Sequence, residues 1–97
     1  VGGVQLREPA GDLAVAAALA SSVYDRALPA DAVFIGEVGL GGEIRPVAQT
    51  ERRLAEAAKM GMRNAFVAQR SASGRVPKDV KAIGVATIAD MFRRLFS

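Results

Sequence analysis

Residues 12–24 constrain this chain more than any other segment. They hold Leu13, Ala14, Val15, Ala16, Ala17, Ala18, Leu19, Ala20 and Val23, with polar residues only at the ends of the run. As a helix, this segment is apolar nearly all round, and such a helix has to be buried on more than one side. Its alanines allow close approach to a sheet or to a second helix. Pro9 suits the entry to that helix, while Ser21 and Ser22 interrupt it near its end. The unbroken apolar stretch at 13–20 is about eight residues, far short of the ~20 that span a bilayer. No basic segment precedes an apolar run near Val1, so nothing there resembles a signal peptide. The expectation is a soluble, cytoplasmic chain without a membrane partner.

The other elements follow from shorter signals. Residues 1–6 read as a strand or the end of one. Residues 32–38, with Val33, Phe34, Ile35 and Val38, read as a buried strand. Gly39-Leu40-Gly41-Gly42 is turn chemistry, and residues 43–47 return as the second strand of a hairpin that Pro46 ends or confines to an edge. Thr50 is the expected N-cap of a helix whose inner face is Leu54, Ala57 and Ala58, with Gly61 closing it. A strand at 64–68, a loop at 69–78 and a strand at 80–85 come next. Thr87 then caps a last helix, with Asp90 as capping-box partner and Ile88, Met91, Phe92 and Leu95 as its apolar stripe. This order predicts a mixed β-sheet with packed helices.

With 97 residues the chain is one small domain or part of one, and 51% hydrophobic residues suffice for a core. It has no Cys and no His, which excludes disulfides, thiolate and imidazole chemistry, and zinc sites built on those ligands. The glycines at 36, 39, 41 and 42 lack a following Gly-Lys-Ser/Thr and lead into a strand, so a hairpin turn is expected there and not a phosphate cradle. Glu37 and Glu43 flank that hairpin without metal-ligand spacing, which favours structural hydrogen bonding over acid–base work.

Charge is unevenly spread. Residues 1–50 carry three basic and six acidic side chains, and residues 51–97 carry ten and four. A basic face formed by Arg52, Arg53, Lys59, Arg63, Arg70, Arg75, Lys78, Lys81, Arg93 and Arg94 could meet phosphate or be a solvated surface. No aromatic residues interleave this set, which argues against a stacking platform for single strands.

Three strings carry a family resemblance. They are Glu8-Pro9-Ala10-Gly11-Asp12-Leu13-Ala14 before the alanine-rich helix, Phe34-Ile35-Gly36-Glu37-Val38-Gly39-Leu40-Gly41-Gly42-Glu43-Ile44-Arg45-Pro46-Val47, and Arg53-Leu54-Ala55-Glu56-Ala57-Ala58. Together they resemble the C-terminal domain of the RadA (Sms) family of bacterial DNA-repair ATPases over nearly all of the chain. That domain is similar to the proteolytic domain of Lon. The resemblance implies the α+β class, with a ribosomal protein S5 domain 2-like fold that is N-terminally truncated. Residues 1–97 would then be the C-terminal part of a single Lon-like domain.

The same resemblance allows a chemical comparison. Lon proteases carry Gly-Pro-Ser-Ala-Gly at the start of the helix, where Ser is the nucleophile, and Pro-Ile-Gly-Gly-Leu-Lys further on, where Lys is the general base. Ala10 stands at the Ser position and Glu51 at the Lys position. A Ser–Lys dyad needs a hydroxyl oxygen to attack and a neutral amine to take its proton, and both are missing. Ser21 and Ser22 lie roughly 16–18 Å along the helix from its start, at 1.5 Å per residue, so neither replaces the nucleophile. The resemblance therefore implies a non-catalytic pseudo-protease, the alternative being an active Ser–Lys peptidase.

What it implies beyond this concerns the parent protein. An ATPase in homologous recombination and branch processing would use ATP, Mg and Zn in domains absent here, with no cofactor or metal in this fragment. The expected partners are other copies in a ring, a hexamer at full length, together with duplex or branched DNA and a RecA-type recombinase. Arg52, Arg53, Lys59, Arg63, Lys78, Lys81, Arg93 and Arg94 are the candidate DNA contacts.

Overall fold

The structure, a computed structural model, describes residues 9–96. The strand expected at 1–6 lies outside them. Pro9–Gly11 form one 3-10 turn and lead into helix α1, Asp12–Tyr24, with the bounds that the apolar run predicts. Strand β1 (Ala32–Ile35) is followed by a short ribbon, β2 (Glu37–Val38) and β3 (Ile44–Arg45). Then come helix α2 (Thr50–Lys59), strand β4 (Asn64–Ala68), a 3-10 turn at Gln69–Ser73, strand β5 (Lys81–Val85) and helix α3 (Ile88–Phe96).

Parallel and antiparallel pairing are both present, but in separate sheets. Strands β1, β4 and β5 form a parallel sheet in the order β1-β4-β5, while β2 and β3 form an antiparallel ribbon that is tied to the chain just past β5 by the antiparallel bridge Glu43–Thr87 and by Ile44 N donating to Ala86 O at 2.9 Å. The arrangement is compatible with the α+β class. The single strand expected over 32–38 is broken at Gly36, which has a physical cause. The Gly36 N–H donates to Ala10 O at 3.1 Å, and its carbonyl accepts from Leu13 N at 3.0 Å. A Cβ on Gly36 would stand 3.0 Å from Ile44 Cγ2 and 3.3 Å from Leu13 Cδ2. The 3-10 turn and the first turn of α1 thus take both backbone groups of Gly36.

Strand β4 is central, and its side chains alternate between two cores, as strand geometry requires. Phe66 and Ala68 join Leu13, Ala17, Ile44, Val85 and Met91, the cluster against which α3 lays Ile88, Phe92 and Leu95. Ala65 and Val67 join Leu54 of α2 and Val80. The sheet therefore carries α1 and α3 on one face and α2 on the other. The rings of Phe34 and Phe66 stack with centroids 5.1 Å apart.

The expected burial of α1 on more than one side is corrected. Its buried residues are Asp12, Leu13, Ala17 and Ala20, whereas Val15, Leu19 and Val23 are exposed, because no described element packs on that face. The N-cap of α2 is also corrected. Gln49, at φ +61°, precedes the helix, and Thr50 is its first residue. The Thr50 hydroxyl donates to Val47 O at 2.8 Å, outside the helix, and no side-chain hydrogen bond caps the helix start.

The other end of α2 is as expected. Gly61, at φ +83°, donates to Ala58 O and Met62 donates to Ala57 O, the pair of bonds of a Schellman closure. At α3, Asp90 N donates to Thr87 Oγ1 at 3.0 Å, and the Asp90 carboxylate accepts from Ala86 N, one residue earlier than a regular capping box.

Candidate functional site

The glycine-rich hairpin between β2 and β3 is held by one carboxylate. Gly39 N donates to Glu43 O at 2.8 Å, Gly42 N donates to Gly39 O at 3.0 Å, and Gly42 adopts φ +84°. The Glu43 side chain folds over this turn. It accepts from Gly41 N at 3.0 Å and from Arg45 Nη2 at 2.6 Å and Nε at 3.1 Å. A Cβ on Gly39 would fall 2.1 Å from Glu43 Oε2, so a larger residue there would push the carboxylate off its place over the turn. The residue's own backbone N–H, and then the Arg45 guanidinium, hold the Glu43 carboxyl below the usual glutamate range. Glu37 sits opposite Arg45 in the ladder. The Glu43 carboxylate is committed to hydrogen bonds and charge pairing, the structural role that the sequence favours, while Glu37 contributes its negative charge near Arg45.

The two positions that resemble a degenerate dyad are kept apart. Ala10 is buried and lines a cleft with Val33, Phe34, Ile35, Arg53, Glu56 and Ala57. Glu51 is exposed and lines a different cleft with Val47, Gln49, Ser71, Gly74 and Arg75. Beside Ala10, α2 presents Arg53 and Glu56, and Arg53 Nε donates to Ala48 O at 3.1 Å. The Ser21 hydroxyl donates to Arg26 O in the turn that ends α1, and Ser22 is exposed further from Ala10 than Ser21.

The basic candidates fall into three groups. Lys59 ends α2, and the Gly61 turn leads directly to Arg63. Lys81 N donates to Arg63 O at 2.8 Å, and Lys78 lies three residues before Lys81. Lys59, Arg63, Lys78 and Lys81 thus gather where β4 and β5 begin, and all four are exposed. Arg52 and Arg53 lie at the opposite end of α2.

Arg93 and Arg94 share one carboxylate on α3. Arg93 Nη2 is 3.1 Å and Arg94 Nε 3.4 Å from Asp90 Oδ1. Burial pulls the Asp90 carboxyl upward, but the Ala86 N–H and the two guanidiniums together outweigh it and leave the pKa below the usual aspartate value.

One cluster was missed from sequence. Tyr24, Phe92 and Phe96 meet where α1 and α3 end, with Arg26 Cζ 5.8 Å from the centroid of the Phe96 ring. The i,i+4 spacing of Phe92 and Phe96 was visible, but nothing local pointed to Tyr24 or Arg26. Aromatic and basic residues do interleave here, which corrects the expectation that they do not.

Comparison with known proteins fits the RadA resemblance and gives the family. The chain is 46% identical to the DNA repair protein RadA of Streptococcus pneumoniae over 97 residues, covering 99% of this chain and 23% of that protein. For RadA of Listeria monocytogenes the identity is 47% over 94 residues, covering 96% and 21%. For RadA of Escherichia coli it is 46% over 90 residues, covering 93% and 20%. The chain therefore spans less than a quarter of the length of these relatives. No described helix is long and apolar enough to cross a membrane. Residues 5–71 match the family model described as subunit ChlI of Mg-chelatase, so the chain belongs to that family, as a region related to the RadA DNA repair proteins.

Proposed function

We propose that this chain is a non-catalytic Lon-like domain, of ribosomal protein S5 domain 2-like fold, from a RadA-type DNA-dependent ATPase of repair and homologous recombination. In this reading it serves as an assembly scaffold and a duplex-DNA contact. The observation that carries it is the 46% identity to a DNA repair protein along 99% of the chain. The structure supports the non-catalytic part through Ala10, whose methyl group offers no electron pair at the helix start. It supports the DNA part through the exposed cations Lys59, Arg63, Lys78 and Lys81 at one end of the sheet.

ATP hydrolysis, with its ATP and Mg, and a zinc finger holding Zn are assigned to other segments of the parent protein. Ring assembly, branched DNA and a RecA-type recombinase are assigned to it as partners. The apolar stripe of Val15, Leu19 and Val23 supports the scaffold role, since exposed apolar faces favour association.

Duplex binding measured against salt tests the DNA part. Each phosphate contact contributes about −0.9 to the slope of log affinity on log salt. The triple variant Lys59→Glu, Arg63→Glu, Lys81→Glu should bind more weakly and lose a slope of roughly 3. Unchanged affinity and slope would refute this surface as the contact.

A further inference from the structure

The cluster of rings and arginines at the ends of α1 and α3 lies apart from the cations that support the duplex contact. Tyr24 is the last residue of α1, and Asp25, at φ +51°, reverses the chain so that Arg26 returns over α3. Arg26 Nη1 donates to Phe96 O at 3.0 Å, across 70 residues. Tyr24 meets Phe92 edge-on at 6.3 Å and 84°, and meets Phe96 at 5.3 Å and 61°. Tyr24, Arg26, Phe92, Arg93 and Phe96 line an open cleft of about 480 Å³.

We propose that this cleft binds single-stranded DNA, with an unpaired base stacking on the Tyr24–Phe96 rings and its flanking phosphates meeting Arg26 and Arg93. Three features select this occupant. Arg26 lies over the Phe96 ring, but edge-to-face packing leaves much of the Tyr24 ring open, and Tyr24 is 54% exposed. Unpaired bases present π-faces at every step, and base–aromatic stacking is the sequence-tolerant part of single-strand binding. Finally, the charge is complementary. Among the described residues Arg26 makes no ion pair, and Arg93 and Arg94 together exceed the one carboxylate, Asp90, that they share. Asp25 is the other acidic side chain close in sequence, which sets three guanidiniums against two side-chain carboxylates.

A duplex hides its base faces, so it cannot use the rings. The proposal extends the nucleic-acid reading to single strands at a second place, and the two are separable. Charge reversal at Lys59, Arg63 and Lys81 should weaken duplex binding and leave the aromatic cleft working.

The protein carries its own probe, because it has one Tyr and no Trp. Its intrinsic emission therefore reports on Tyr24 alone. Titration of the 97-residue chain with a 15-nucleotide oligo(dT) should quench that emission saturably. A duplex of the same length and an oligoglutamate peptide should leave it unchanged. No quenching by the single strand, or equal quenching by the duplex, overturns the proposal, and equal quenching by the peptide shows an anion or peptide groove instead.

Anisotropy of labelled oligo(dT) gives a second measurement that does not need the tyrosine. Tyr24→Leu and Arg26→Gln should each weaken binding roughly ten-fold, with duplex affinity and the far-ultraviolet circular dichroism retained. Single-strand affinity unchanged in both variants overturns it.

Discussion

The backbone N–H of Val38 donates to Asp12 Oδ2 at 3.2 Å, joining the first turn of α1 to the β2–β3 ribbon across 26 residues. Asp12 is the one buried charged residue among those described. It does two things at once, since a carboxylate in the first turn also faces the positive end of the helix dipole. Together with the Gly36 bonds to Ala10 and Leu13, it fixes where the helix starts relative to the sheet.

Asp12→Ala should therefore destabilise the fold by about 1–3 kcal/mol, because it leaves a part-buried N–H without its acceptor. Asp12→Asn keeps an acceptor oxygen and should lose less. Urea denaturation of the three proteins checks the order.

Gly84 tests how closely β5 packs under the 3-10 turn at Gln69–Ser73. A Cβ there would meet Ala72 Cβ and Gln69 Cα, both at 3.0 Å, and Gln69 Cα is backbone that cannot rotate away. Gly84→Ala should destabilise by about 1–3 kcal/mol through overpacking. Gly11→Ala meets nothing within 4 Å and serves as the control in the same thermal melts.

Asp90 sets a pH dependence. Its folded pKa lies below the ordinary 3.8, so its contribution is fully present above that value. The stability is lost as pH falls from the ordinary value through the lowered folded one. Glu43 is lowered from its ordinary 4.5 and acts in the same direction. Asp90→Asn should lower the neutral plateau of a stability–pH curve and flatten its acid limb, with the two proteins converging at low pH. An unaltered acid limb would show that Asp90 carries none of it.

Ala10→Ser returns a hydroxyl to the helix start without returning an amine to take its proton. The cleft offers the guanidinium of Arg53 and the carboxylate of Glu56, and Glu51 lines a different one. The variant should remain unlabelled by a fluorophosphonate probe and should not degrade casein. Labelling of the introduced hydroxyl would mean that a base is within reach after all.

Much of the chain was legible from local pattern. The bounds of α1 and β4, the glycine turn at 39–42, the Gly61 closure and the Thr87 cap each rest on interactions within a few residues, which sequence spacing records. The misjudged features depended on distant groups. The strand over 32–38 broke because Ala10 and Leu13 claim the peptide groups of Gly36. Thr50 lost the cap because the chain reverses at Gln49, φ +61°, which makes Thr50 the first helical residue and leaves its hydroxyl on Val47 O. The apolar count along α1 was correct, but a count does not say which face finds a partner.

The sequence alone determined that residue 10 has no hydroxyl and that no thiol or imidazole exists anywhere in the chain, because composition does not depend on folding. It also placed helices α1, α2 and α3 and the strands at 64–68 and 81–85, since hydrophobic period and capping act over one or two turns. Only the tertiary structure decided that Lys59, Arg63 and Lys81 share an end of the sheet while Ala10 and Glu51 line separate clefts. It alone gathered Tyr24, Arg26, Phe92 and Phe96 from opposite ends of the chain. The packing of α1 beside α3 over Leu13, Ala17 and Met91 brings them together, and a contact across 70 residues leaves no periodic trace in the residues between.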